Sequence, residues 1–347
     1  MGPGTGFAGE VKASMARVGK RIDGFRAVLA AAMALGLVSG LSLTGCVTDA
    51  TPTEDPALVA LESGEALLDS GDQAAALAEF ERAIAVNPEL STAYLGAGDV
   101  YRRTGNYQAA EERYRAAAEL QPDSFRAQYS HGLSLQLLQR ATDAIRAYLR
   151  ALAIEPGDFA ANLNLAIAYL SMNEPGQARP FAERAVDARP DDGPARINLA
   201  ATYSRLGRHE EAVVEYQQAA ELTDLTPPLL LGLADSLGRT GRYAEMAATL
   251  EQLVRVEPSA AAYERLGSAW FRLKAYEDAL RAFRGSVRQD EDYYPAWNGI
   301  GVCLLNRYLW ERGADERIRS AAIEALRRSL RLKRNQPRIV ELVRRYG

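Results

Sequence analysis

The chain has 347 residues, 48% apolar and 25% charged, with 15 prolines and 28 glycines. This composition describes a folded body and excludes collagenous, low-complexity and wholly disordered classes. The formal charge of −4 hides a gradient, because residues 327–347 carry +7 whereas residues 46–326 carry −14. A body that acidic argues against nucleic acid as a partner. Two cysteines, Cys46 and Cys303, and two histidines, His131 and His209, fall short of the roughly four clustered ligands of a structural zinc site. No Cys/His/Asp cluster and no glycine-rich strand–helix loop stands anywhere in the sequence, so no cofactor, no metal and no catalytic centre is expected.

In chain order, the first feature is an address. Lys20, Arg21 and Arg26 precede an apolar run from Ala27 to Leu43, which ends in Leu43-Thr44-Gly45-Cys46. Seventeen residues is short for a permanent bilayer span and suits the apolar region of an export signal. Small residues before a cysteine resemble the lipobox of bacterial lipoproteins. The resemblance implies a signal peptide over 1–45, lipid on Cys46 and a membrane anchor, followed by a tether over 46–56 whose sequence VTDATPTEDP is polar and turn-prone. A plain N-terminal anchor, or a secretory signal with a chance cysteine, shares parts of this pattern but not the conjunction. Val47, rather than aspartate, after the cysteine implies the outer membrane, with the chain facing the periplasm.

Beyond the tether the chain repeats itself. Pro88, Pro122, Pro156 and Pro190 succeed one another every 34 residues, a period that marks stacked supersecondary units. On that frame the eighth position is small throughout, from Gly64, Gly98 and Gly132 to Ala166, Ala200, Ala234, Gly267 and Gly301. Alanine dominates the twentieth position (Ala76, Ala110, Ala144) and the twenty-seventh (Ala83, Ala117, Ala151). Small residues at fixed phase let two helices approach closely while large ones, such as Tyr114, Tyr148 and Phe283, fill the remaining space. Gly71, Gly105, Gly207 and Gly241 stand where the first helix must end.

This pattern resembles the tetratricopeptide repeat (TPR). The resemblance implies an all-α fold, a right-handed superhelical solenoid of eight helix–turn–helix units over 57–90, 91–124, 125–158, 159–192, 193–226, 227–259, 260–293 and 294–336. A capping helix over 337–347 closes it. Departures cluster late: Asp224 replaces the expected proline, unit six carries bulky Met246 and Leu253, and unit eight has extra residues between Arg307 and Ser320 that are expected to separate its helices.

The family also implies a concave wall built from the first helix of each unit. There the central units present Tyr129, Leu133, Leu137, Leu163, Ile167, Leu170 and Ile197, with Asn164 and Asn198 beside them, where flanking units carry Asp99 and Asp235. An apolar stretch between polar flanks is expected to seat a protein partner, as a peptide or helix segment. The same side chains are also of the kind that packs between neighbouring helices, and both readings stand. Arg205, Arg239 and Arg272 form a secondary basic stripe. The lysine–asparagine–arginine clamp for a terminal carboxylate is absent, with Pro194 standing where lysine is required. The functional expectation is a non-enzymatic scaffold of the cell envelope, serving pilus, secretion or cell-wall machinery. The alternative is a glycan-binding component of exopolysaccharide export.

Overall fold

The computed structural model describes residues 55–347. The signal segment, Cys46 and most of the tether lie outside the described residues.

Seventeen helices follow one another, with no strand among the described residues. They pair as α1 (Pro56–Asp69) with α2 (Gln73–Val86), α3 (Ser91–Arg103) with α4 (Tyr107–Leu120), α5 (Phe125–Leu137) with α6 (Ala141–Ile154), and α7 (Phe159–Ser171) with α8 (Pro175–Ala188). The series continues with α9 (Gly193–Arg205) and α10 (His209–Leu222), α11 (Pro227–Arg239) and α12 (Tyr243–Val256), α13 (Ala260–Arg272) and α14 (Tyr276–Gln289), and α15 (Tyr294–Trp310) and α16 (Glu316–Leu332). A last helix, α17 (Pro337–Tyr346), packs on α16. Each helix touches the next, and most odd-numbered helices also touch the odd-numbered helix that follows. Even-numbered helices have no comparable contact with one another. The odd side is therefore the short side of the stack, and it forms the concave wall.

Local chemistry sets the punctuation. Ser124, Asp158, Asp192 and Ser259 cap the odd helices by accepting a hydrogen bond from the backbone N–H three residues on. Asp72 and Asn106 do the same for α2 and α4. The residue ending most odd helices takes a left-handed backbone. Gly71, Gly105, Gly207 and Gly241 do so freely, but Gln139, Asn173 and Lys274 occupy the same position at φ of 59° to 62°.

A second tie recurs at the fourth residue of the unit. Gln128 Nε2, Asn162 Nδ2, Arg196 Nε and Trp297 Nε1 each donate to the backbone carbonyl six residues earlier, at 3.2, 2.9, 2.8 and 2.8 Å. Four unlike side chains thus satisfy the same turn carbonyl, which fixes the angle at which one unit enters the next.

The core is a row of rings held between small residues. Phe80, Tyr114 and Tyr148 are fully buried, and Tyr216 and Phe283 nearly so. A methyl group added to Gly98 would stand 2.6 Å from the Tyr114 ring, and one on Gly132 would stand 2.7 Å from Tyr148. The glycines are therefore required by close approach, since real carbon contacts are longer than this.

The late units depart from expectation in instructive ways. Met246 fits because Gly238 faces it: a side chain there would start 3.1 Å from the sulfur. The extra residues of unit eight do not separate its helices. They lengthen both, so that α15 and α16 each run 17 residues where α13 has 13 and α14 has 14. The added turn of α15 ends on Trp310, which is 87% exposed. No described helix is long and apolar enough to cross a membrane.

Candidate functional site

The concave wall of units three to five is formed by α5, α7 and α9. Helical spacing brings Leu133 and Leu137 to one face of α5, four residues apart, and places Ile167 at the matching position of α7. These three side chains belong to none of the buried clusters. Leu137 is 40% exposed and Ile167 36%, while Leu133 is half-buried.

The other central residues are tied more closely to the fold. Tyr129 stacks on Phe125 at 5.7 Å between ring centroids and lies 5.9 Å from the Tyr148 ring. Its hydroxyl accepts a hydrogen bond from Asn164 Nδ2 at 3.0 Å, so Asn164 braces α7 against α5. Burial raises the Tyr129 hydroxyl above the ordinary tyrosine value, opposed in part by that bond. Leu163 and Ile197 are half-buried and pack against the clusters behind them. Leu170, expected on the groove, is instead a core residue packed with Ala178 and Ala182, because it falls on the face of α7 that meets α8. The Asn198 side-chain oxygen, Oδ1, is buried without a partner among the described residues.

The polar flank is also engaged. Tyr114 donates its hydroxyl hydrogen to Asp99 at 2.6 Å, and Arg126 reaches the other carboxylate oxygen at 2.8 Å. Burial and the Asp99 charge both hold the Tyr114 hydroxyl protonated. Within the basic stripe, Arg205 donates to the Leu170 carbonyl at 2.7 Å, capping the end of α7. Arg239 and Arg272 are exposed.

Farther along the same wall, a cavity of about 500 Å³ opens between α13 and α15, lined by Glu264, Ser268, Arg272, Asn298 and Val302 among others. These residues stand at the same unit positions as the central ones, and the available signal was the coincidence of Glu264 with Asn298 and of Ser268 with Val302 one unit on. Cys303 lies behind this wall, 2% exposed, and burial pushes its thiol up to about 12. A thiol so shielded is a packing group.

The tetratricopeptide-repeat signature matches residues 61–111, 95–159 and 231–294 in one form, and 136–194 and 173–228 in another. The chain belongs to the tetratricopeptide-repeat family. A search of curated proteins gives no match.

Solved structures with a similar course include a TPR protein from Parabacteroides merdae ATCC 43184. It is 18% identical, over 72% of this chain and 99% of that one, with a TM-score of 0.49. The Pseudomonas aeruginosa pilF structure is 20% identical, over 58% of this chain and 92% of that one, with a TM-score of 0.50. YrrB, described as a TPR protein with an unusual peptide-binding site, is 18% identical over 57% and 98%, with a TM-score of 0.49. At such identities the likeness concerns the fold alone. As a TPR stack the chain is a scaffold for protein interaction.

Proposed function

We propose that the chain holds a protein segment, extended or helical, against the concave wall of units three to five and performs no chemistry on it. The observation that carries this reading is the exposure of Leu137 and Ile167, which with half-buried Leu133 lie outside every buried cluster. Covering apolar surface is worth about 25 cal/mol per Å², so a few such side chains anchor a complex. Asn198, half-buried on the same wall, supplies orientation rather than most of the affinity.

Changing Leu133 and Ile167 together to aspartate is expected to leave the helical signal and the denaturation midpoint nearly unchanged. The same double variant is expected to lose capture of the natural partner in a pull-down from envelope extract. Unfolding of the variant would assign these residues to the core, and retained capture would place the seat elsewhere.

The finer reading is that this scaffold is anchored in the cell envelope by lipid on Cys46 and assembles or recruits envelope proteins. It rests on the Leu43-Thr44-Gly45-Cys46 succession and its basic and apolar flanks. Mass spectrometry of the protein from its native host is expected to show a chain beginning at a diacylglyceryl-modified Cys46. An unmodified cysteine there would remove the lipid anchor from the proposal.

A further inference from the structure

The face opposite the groove carries a crevice that the scaffold reading does not use. Near the C-terminal end, α14, α15 and α16 line an open recess of about 570 Å³. Its floor is apolar, with Trp297, Ile300 and Leu304 from α15. The Trp297 ring is held in place because its Nε1 donates to the Glu291 carbonyl at 2.8 Å.

Four guanidiniums rim this floor: Arg284 and Arg288, one turn apart on α14, and Arg328 and Arg331, nearly one turn apart on α16. The lining holds one carboxylate, Glu324. Arg328 meets Asp292 at 3.2 Å, while among the described residues Arg284, Arg288 and Arg331 have no ion pair. Along α16 the basic track continues into an adjoining cavity of about 490 Å³, lined by Arg327, Leu330, Arg331 and Arg334.

Like charges gathered round an apolar recess repel one another, and an anion relieves that repulsion. Arginine is suited to this task because its planar fork meets a carboxylate through two parallel hydrogen bonds. Two features of the crevice select the kind of anion. The recessed floor admits a side chain from a narrow segment, which a flat bilayer does not offer. The track along α16 spans several charges, which exceeds the reach of one free phosphate.

We propose that this convex crevice binds an acidic peptide segment of a partner protein, seating an apolar side chain on Trp297, Ile300 and Leu304 and its flanking carboxylates on Arg284, Arg288 and Arg331. A chain with two such faces bridges two partners, one in the groove and one on its back.

The test uses a short fluorescein-labelled peptide in which glutamates flank a central leucine–phenylalanine pair, titrated with the purified protein by fluorescence anisotropy. Binding is expected, weakening steeply with added salt. Exchanging the glutamates for glutamines is expected to weaken it by about tenfold or more. Arg288→Glu combined with Arg331→Glu is expected to do the same; both side chains are exposed, and an unchanged circular dichroism spectrum verifies the fold. Trp297→Leu serves as a second variant, expected to weaken the peptide while leaving the salt dependence in place. The Leu133→Asp, Ile167→Asp protein is expected to bind the peptide normally, which separates this site from the groove. Absence of binding at millimolar peptide, or equal affinity for the charge-reversed protein, overturns the proposal. Co-sedimentation with phosphatidylglycerol vesicles that is lost on charge reversal, without peptide binding, overturns it in favour of a membrane surface.

Discussion

Unit one and unit four are built on the same frame, yet they treat the sixth position of the following unit in opposite ways. In unit one Phe80 is pinched between Gly64 and Gly96: a methyl group on either glycine would approach its ring to 2.8 and 2.5 Å. In unit four the corresponding residue is Ala182, and the sixth position of the next unit is Asn198. Unit seven repeats the first arrangement with Phe283 between Gly267 and Gly299. The lesson is that packing behind the wall decides what the wall can display. A phenyl ring that fills the space between units requires glycine in front of it, whereas a small residue releases that position for a side chain. Asn198 takes this position where the ring is missing, whereas Asn164 follows the Tyr148 ring and is held by the Tyr129 hydroxyl.

The largest effect expected from breaking this contrast is removal of a ring. Phe80→Ala leaves a cavity that the two glycines cannot fill and is expected to cost about 3–5 kcal/mol in chemical denaturation. Ala182→Gly in unit four, which removes a single methyl group, is expected to cost far less.

Exchanging the sixth-position residues sharpens the comparison. Gly96→Asn drives a side chain into the Phe80 ring and is expected to destabilise by about 1–3 kcal/mol. The reverse change at the centre, Asn198→Gly, is expected to stay within about 1 kcal/mol, the helix propensity difference alone. Equal costs at the two sites would refute the wedge account.

A smaller difference between regions is expected from pH. His131, buried at the junction of units two and three, donates its Nε2 hydrogen to Glu111 Oε1 at 3.2 Å, with Arg115 and Arg140 beside that carboxylate. Burial lowers the His131 value below the ordinary 6.5, and the nearby arginines Arg150 and Arg115 reinforce the shift against the pull of Glu111. A histidine whose folded value is depressed favours the fold above its unfolded value and loses that contribution as pH falls through the folded one. The denaturation midpoint is therefore expected to decline as pH falls below the ordinary histidine value of 6.5. His131→Gln should flatten that decline, and an unchanged slope would remove His131 from the account.

The smallest expected effect is a gain. Gln139 and Lys274 hold the left-handed backbone that glycine provides in units one, two, five and six. Replacing either with glycine is expected to stabilise by up to about 1 kcal/mol, the strain relieved being partly offset by added unfolded-state entropy. A loss of stability at both sites would show that their side-chain contacts outweigh the strain.

Much of the molecule was determined locally and was therefore legible in the sequence. The proline period of 34 residues, the glycines at helix ends and the small residues at repeated phase define helix pairs that stack, because each rests on contacts within one unit or with its neighbour. Cap residues such as Asp158 and Ser124 act within three residues of their own position, so they too are read directly. What the tertiary structure alone decided is where an apolar side chain in the wall goes. Leu170 and Ile167 are three residues apart on one helix, yet the first is 8% exposed and the second 36%, since α8 packs over the first and the second lies outside the buried clusters. Whether a groove residue braces the fold or faces a partner likewise depends on distant groups: Asn164 is held by Tyr129 across 35 residues, and Arg205 by the Leu170 carbonyl across the same separation. The arginine crevice follows the same rule, for its charges come from two helices separated by a third, and only the stacking of those helices sets them round one apolar floor.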